Sequence, residues 1–237
     1  MKILLTSLPK SGTNIYSEIL KKCGFEYSKK SIASSSVYGK KGLAKFLFRN
    51  SFSQYKSIKI GLDFDASCSI NWCNKYLKIK DNNFITGHVP FSKNLEIILK
   101  NYNFKVIYVT RDIRDVSVSW ANFIIEKQNR WAYGHDYFKS ISLNDRISFL
   151  LKGGVFDENL ANYNSLFEMD QGIKKWGEYD QSLHVSFEEF MHSKSKLKEK
   201  LSKFLDIEIS DKETGDNKDA VFIMKEILNN MRKKNVQ

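Results

Sequence analysis

Short apolar runs and longer amphipathic stretches alternate along the chain, and this alternation sets out the expected elements. Ile3, Leu4 and Leu5 form an apolar run that predicts a buried strand over residues 2–8. A tight turn follows, Pro9-Lys10-Ser11-Gly12-Thr13. Ile15, Ile19 and Leu20 then recur at helical spacing, so a helix is expected over 13–23, stopped by Gly24. Residues 26–57 are rich in Lys and Ser, with turn signals at Ser34-Ser35-Ser36 and Gly39-Lys40-Lys41-Gly42. They read either as a loop-rich insertion near the acceptor side or as a mobile surface loop, with a short helix from Leu43 to Phe48. Ile58 to Leu62 and Phe84 to Thr86 read as short strands, and Ser92 to Tyr102 as a helix with Leu95, Ile98 and Leu99 inward. Phe104 to Thr110 is the longest apolar strand pattern, and it runs directly into a helix in which Val116 and Trp120 face the core. Residues 121–165 read as mostly helical, broken at Trp131 to Gly134 and again at Gly153-Gly154. A lysine-rich amphipathic helix over 193–204 and a closing helix over 220–231 complete the pattern.

Composition narrows the class. The 237 residues suffice for one sizeable core and are few for two. Hydrophobic residues at 42% argue for a packed globule rather than a disordered chain. No apolar run reaches the roughly 18–20 residues a membrane span needs, and the N-terminus lacks a signal-peptide pattern, so a cytoplasmic protein is expected. Cys23, Cys68 and Cys73 are odd in number and lack zinc-ligand spacing; they read as buried or idle thiols in a reducing compartment. The net charge of +11 suits an anionic ligand but equally suits nucleic acid, so it does not choose between them.

The candidate chemistry lies where strands end. Strand, Gly-containing turn and helix make an anion site, because N–H groups at a helix N-terminus lack partners and its dipole favours negative charge. Lys10 adds a full charge, Ser11 and Thr13 add hydroxyl donors, and Gly12 permits close backbone approach. The nucleotide-triphosphate loop G-x-x-x-x-G-K-[ST] is not matched, since Lys10 precedes the glycine and no earlier glycine opens the turn. His88 falls just beyond the strand over 84–86, where a general base near neutral pH can meet a ligand. Arg111 sits at the end of the longest strand pattern, Asp112 reads as the N-cap of the next helix, and Ser119 lies two turns in. Arg111 and Ser119 can converge on one phosphate. His135, His184 and His192 have no comparable setting and read as structural or surface residues.

These stretches together resemble the sulfotransferases that use 3′-phosphoadenosine 5′-phosphosulfate (PAPS). Pro9 to Thr13 resembles their 5′-phosphosulfate loop. Gly87-His88-Val89-Pro90 resembles the segment whose His removes the acceptor proton. Arg111 and Ser119, eight positions apart around Asp115-Val116, resemble the 3′-phosphate motif. Ile173 to Trp176 and Ser186-Phe187-Glu188-Glu189 resemble later family segments, with Phe187 where a Tyr commonly touches the adenine. Lys212 to Lys218 partly resembles the Gly-rich loop over the 3′-phosphate, where Lys212 or Lys218 would supply its charge.

The resemblance implies a single α/β domain over 1–237, a central parallel sheet flanked by helices with the P-loop-like sulfotransferase fold. It implies sulfuryl transfer from PAPS to a hydroxyl or amine, without a metal. Lys10, Ser11, Gly12, Thr13 and Asn14 would hold the 5′-phosphosulfate, Arg111 and Ser119 the 3′-phosphate, Phe187 the adenine, and His88 and Lys10 the chemistry. A small-molecule or carbohydrate acceptor would be received by cap segments 26–80 and 121–170; a phenol, sugar, lipid or peptide tyrosine is compatible. Trp131, Tyr133, Tyr137 and Phe138 read as pocket lining or as core. No specific nucleic acid is expected as a partner, and oligomeric state is not legible. The competing classes are a P-loop phosphotransferase or kinase, and a non-catalytic basic nucleotide- or nucleic-acid-binding protein.

Overall fold

The computed structural model describes residues 1–33, 57–129, 134–155 and 162–209. The expected helices over 43–48 and 220–231, and Trp131, Tyr133, Lys212 and Lys218, lie outside the described residues.

Five strands form one parallel sheet in the order β2-β5-β1-β6-β7: β1 (Lys2–Ser7), β2 (Glu26–Ile32), β5 (Asn83–Gly87), β6 (Phe104–Thr110) and β7 (Ser182–Ser186). A two-stranded antiparallel hairpin, β3 (Ser57–Lys59) and β4 (Ser67–Ser69), stands apart from that sheet. The helices are α1 (Thr13–Lys22), α2 (Ile70–Tyr76), α3 (Lys93–Asn101), α4 (Ile113–Phe123), α5 (His135–Ser140), α6 (Leu143–Lys152), α7 (Leu166–Lys174), α8 (Phe187–His192) and α9 (Lys194–Leu205). Among the described residues no helix is long and apolar enough to cross a membrane.

The period-two side-chain alternation of the strands builds two core layers. Ile3, Leu5, Ile107, Val109 and Val185 meet α1, α8 and α9 on one face. Leu4, Ile85 and Val106 meet α3, Trp176 and the β3–β4 hairpin on the other. Central strands covered on both faces read as continuous apolar runs, and β1 and β6 do so in the sequence. A third cluster joins Leu8 to Val116 and Trp120 of α4, Phe138 of α5, Leu150 of α6, Tyr163, and Met169 and Ile173 of α7.

Two expectations need correction. Residues 26–32 form the edge strand β2, not part of a loop-rich cap insertion. Its pattern misleads because the strand is hydrophilic and bulged: only Ile32 is fully buried, and Lys29 takes a left-handed φ of 58° between the Tyr27 and Ser31 pairings. The strand expected over 58–62 is shorter, and it pairs in the separate hairpin rather than joining the main sheet.

In parallel strands all carboxyl ends lie together. Ser7 pairs with Val109, and Thr6 with both Gly87 and Tyr108, so the loops after β1, β5 and β6 emerge side by side. The chain leaves β1 toward β2 at one edge and leaves β6 toward β7 at the other. The crevice between β1 and β6 is therefore the topological switch point, where open α/β sheets bind ligands.

Candidate active site

The loop after β1 is built around an unusual backbone. Lys10 has φ 67° and Gly12 has φ 99°, both left-handed. A lysine held there is strained by about 1 kcal/mol or more, which surrounding structure must offset. Gly12 is required twice over. Besides its φ, a Cβ at this position would lie 3.1 Å from Cδ2 of Phe187. Gly12 is also the N-cap of α1 and offers no side chain to the first turn, whereas Ser92, Asp112, Ser142, Ser165 and Ser186 cap their own helices. The leading N–H groups of α1 therefore face the loop without a side-chain acceptor.

The Ser11 hydroxyl is buried and has no partner among the described residues. The hydroxyls of Ser7 and Thr13 pair at 2.5 Å across the turn. The Lys10 ammonium lies 4.0 Å from the centre of the Phe123 ring at the end of α4. Burial pulls the Lys10 pKa below the ordinary lysine range; Glu126 opposes that shift and Arg111 adds to it.

Arg111 reaches this loop from the end of β6. Its Nη1 donates to the Lys10 carbonyl at 3.1 Å, and Nη2 lies 3.5 Å from Asp115. The guanidinium carbon stands 4.2 Å from the centre of the Phe187 ring. Its Nε is buried without a partner among the described residues. Asp112 caps α4 by accepting from the Arg114 N–H, and its close pairing with the Arg114 side chain holds its carboxyl down at about 2. Ser119 is half-buried and lies one helical turn beyond Asp115, so it shares a stripe of α4 with the carboxylate that faces Arg111.

His88 follows β5. Its Nδ1 lies 2.8 Å from the Ser7 carbonyl, which can only accept, so Nδ1 carries the hydrogen and Nε2 is the basic nitrogen of the neutral ring. Burial lowers its pKa below the ordinary 6.5; the bond to Ser7 opposes this and the Lys10 charge reinforces it. Ser7 thus joins the two motifs, its carbonyl holding His88 and its hydroxyl facing Thr13. The next residue is fixed as well: the Val89 carbonyl accepts from Thr6 Oγ1 at 3.2 Å and from Trp176 Nε1 at 2.9 Å.

One crevice therefore gathers a buried unpartnered hydroxyl, a buried unpartnered guanidinium nitrogen, an ammonium, an uncapped helix N-terminus and an imidazole with a free basic nitrogen. The donor set fits a polyanion carrying phosphate-type oxygens.

The family profile for the sulfotransferase domain matches residues 1–237. The chain belongs to the sulfotransferase family. Among solved structures it is similar to mouse sulfotransferase SULT7A1 complexed with PAP (TM-score 0.54, 19% identity, 90% of this chain and 61% of that one). It is also similar to retinol dehydratase in complex with androsterone and the inactive cofactor PAP (TM-score 0.53, 14% identity, 90% and 62%). A complex of retinol dehydratase with retinol and PAP aligns comparably (TM-score 0.51, 13% identity, 90% and 62%). This sulfotransferase domain spans about three fifths of the length of those chains. No curated protein sequence matches it.

In this sulfotransferase domain the expected residues fall into three groups. Lys10, Ser11, Gly12, Thr13, His88, Arg111 and Phe187 are brought together by the contacts given above. Asn14 is exposed on the first turn of α1, and Ser119 lies along α4 without a contact that draws it to the loop. Lys212 and Lys218 lie outside the described residues. Phe138 is core, fully buried against Phe149 and Tyr163, so it does not line a pocket. His135 is buried at the start of α5, while His184 is exposed and bonds Thr110 at 2.8 Å. Sequence reasoning missed Ser7, Phe123 and Glu188. Glu188 accepts from the Asp112 N–H at 3.0 Å. Its signal was its place beside Phe187, but nothing local says that β7 delivers it to the start of α4.

Proposed function

We propose that the chain moves a sulfuryl group from PAPS to a hydroxyl or amine of a small-molecule or carbohydrate acceptor. The supporting observation is a pair of buried donors without a partner among the described residues, Ser11 Oγ and Arg111 Nε, on two loops tied by the Arg111–Lys10 hydrogen bond. Buried polar atoms are rarely left unsatisfied unless a ligand completes them.

PAPS, when bound, supplies an activated sulfuryl group whose bond to a phosphate oxygen is replaced by one to the acceptor. Ser11, Gly12, Thr13, Asn14 and the first N–H groups of α1 hold the 5′ end. Arg111 and Ser119 hold the 3′-phosphate, and Phe187 stands beside it. Lys10 places a cation where negative charge grows on the departing oxygen. His88 takes the acceptor proton at Nε2, while its Nδ1–H bond to Ser7 keeps the ring in the right tautomer. Positioning and fixed charges carry most of the acceleration, as in phosphoryl transfer.

Calorimetric titration with adenosine 3′,5′-bisphosphate, without metal, tests the reading. Micromolar binding is expected, weakened about 10- to 100-fold by Arg111→Ala, the scale of lost charged hydrogen bonds. Folded wild-type protein that binds no bisphosphate would sink the proposal.

A further inference from the structure

The geometry points to Phe187 and Glu188 as positioning residues that set Arg111 in place, so that the turn from β7 into α8 determines recognition of the 3′-phosphate. This rests on the reading of Arg111 as a 3′-phosphate ligand, and it differs from a role for Phe187 as an adenine platform.

Four contacts carry the inference. The Phe187 ring lies under the Arg111 guanidinium, 4.2 Å from its centre to the guanidinium carbon. The same ring closes over Gly12, where an added Cβ would come within 3.1 Å of it. Glu188 Oε1 accepts from the main-chain N–H of Asp112, the residue after Arg111, at 3.0 Å. The Tyr16 hydroxyl of α1 donates to the Ser186 carbonyl at 2.6 Å, fastening the turn to the helix behind the anion loop. The turn is itself rigid: Ser186 and Glu189 form a reciprocal capping box, and Glu189 is held by Lys200 of α9.

These contacts fix Arg111 at its guanidinium, over the Phe187 ring, and by the backbone that follows it. A guanidinium has five N–H donors in one plane, and stacking leaves the rim free for hydrogen bonds. Nη1 is spent on the Lys10 carbonyl and Nη2 faces Asp115, while Nε stays buried with no partner among the described residues. The ring also bridges the two anion sites, touching Gly12 of one and Arg111 of the other. An aromatic placed this way favours ligands that carry phosphate at both places.

The test compares adenosine 3′,5′-bisphosphate with adenosine 5′-phosphate by calorimetry. Phe187→Leu keeps an apolar cover on Gly12 and removes the π face. The ratio of its bisphosphate to monophosphate affinities is expected to fall about tenfold, the scale of a lost cation–π contact. Phe187→Tyr should restore discrimination. In an Arg111→Ala background Phe187→Leu should have no further effect, since the two act as a unit. Glu188→Ala gives an independent second variant, expected to show the same selective loss. Equal weakening of both nucleotides, persisting without Arg111, would place the ring at the base and overturn the inference. Unchanged binding of both in the Phe187→Leu and Glu188→Ala variants would overturn it too. Wild-type protein that does not distinguish the two nucleotides would bring down the 3′-phosphate reading itself, a failure separable from that of Phe187 alone.

Discussion

The carboxyl end of the sheet and the aromatic cluster beside it are built on opposite principles. At the sheet's end, polar groups are buried and left waiting: Ser11 Oγ and Arg111 Nε have no partner among the described residues, Lys10 is left-handed, and α1 has no side-chain cap. A few ångströms of chain away, Leu8 enters a cluster with Phe138, Tyr163 and Trp120, where the buried side chains are apolar or aromatic. The first region holds unsatisfied groups that a ligand can reward. The second gains from being dry. Each should therefore fail differently when damaged, the first in chemistry and the second in stability.

The largest effect expected at the sheet's end comes from His88. His88→Asn keeps a polar side chain near the Nδ1 position and has no basic nitrogen. Turnover should drop by about 10² to 10⁴, the usual worth of a positioned general base, with bisphosphate affinity little changed. The wild-type kcat/KM profile should show an acid limb below pH 6.5, because burial favours the neutral ring. Stability should follow the same direction. A histidine whose folded pKa is lowered supports the fold fully above about pH 6.5 and loses that support as pH falls through the folded value. An acid limb at or above 6.5, or one that survives His88→Asn, would remove the histidine from the mechanism.

In the cluster the expected damage is structural. Phe138→Ala should cost about 3–5 kcal/mol in denaturant unfolding, since the ring is fully buried against Phe149 and Tyr163. Bisphosphate affinity of the remaining folded protein should hold. A large loss of affinity with little loss of stability would blur the contrast and make the cluster part of the site.

The same contrast explains what could be read from the sequence. The turn around Gly12, the His88 segment and the Arg111 to Ser119 stripe are local patterns. Their chemistry is that of an anion site and a base, so a few adjacent residues suffice. What was missed is long-range or averaged. Glu188 meets Asp112 across 76 positions, and no local pattern encodes that meeting. β2 was hidden because an edge strand needs few apolar residues, and Glu26 to Ile32 supplies one fully buried side chain. Phe138 could be assigned to core or pocket only when its neighbours were known.

A smaller effect belongs to the junction of the two regions. Phe123 closes α4 and holds the Lys10 ammonium against its ring. Phe123→Leu should lower kcat about three- to tenfold, while Phe123→Tyr retains most activity. The ring stabilises the charged amine, so its loss should lower the Lys10 pKa further and move the basic limb of the kcat profile toward neutrality. A kcat loss without that movement would assign Phe123 to packing and leave Lys10 positioned by the loop alone.

The smallest effect expected lies on the hairpin side of the cluster. Asp63 sits between Leu62 and Phe64, both buried in the cluster, and its half-buried carboxyl is pushed up to about 6 by desolvation, against the lowering by backbone hydrogen bonds at Asp63 and Phe64. An acid whose folded pKa is raised binds more protons folded than unfolded between about pH 4 and pH 6, so its ionisation destabilises the fold as pH rises through that window. Asp63→Asn keeps the acceptor oxygen and cannot ionise. It should stabilise the protein by about 1 kcal/mol at pH 7, a figure reduced because water still reaches the group, and by almost nothing at pH 4. The stability difference between variant and wild type, followed from pH 4 to 7, must grow with pH. A flat or falling difference would mean that the carboxylate is satisfied where it lies, and that the cluster's edge, like the sheet's end, has been built to hold a charge.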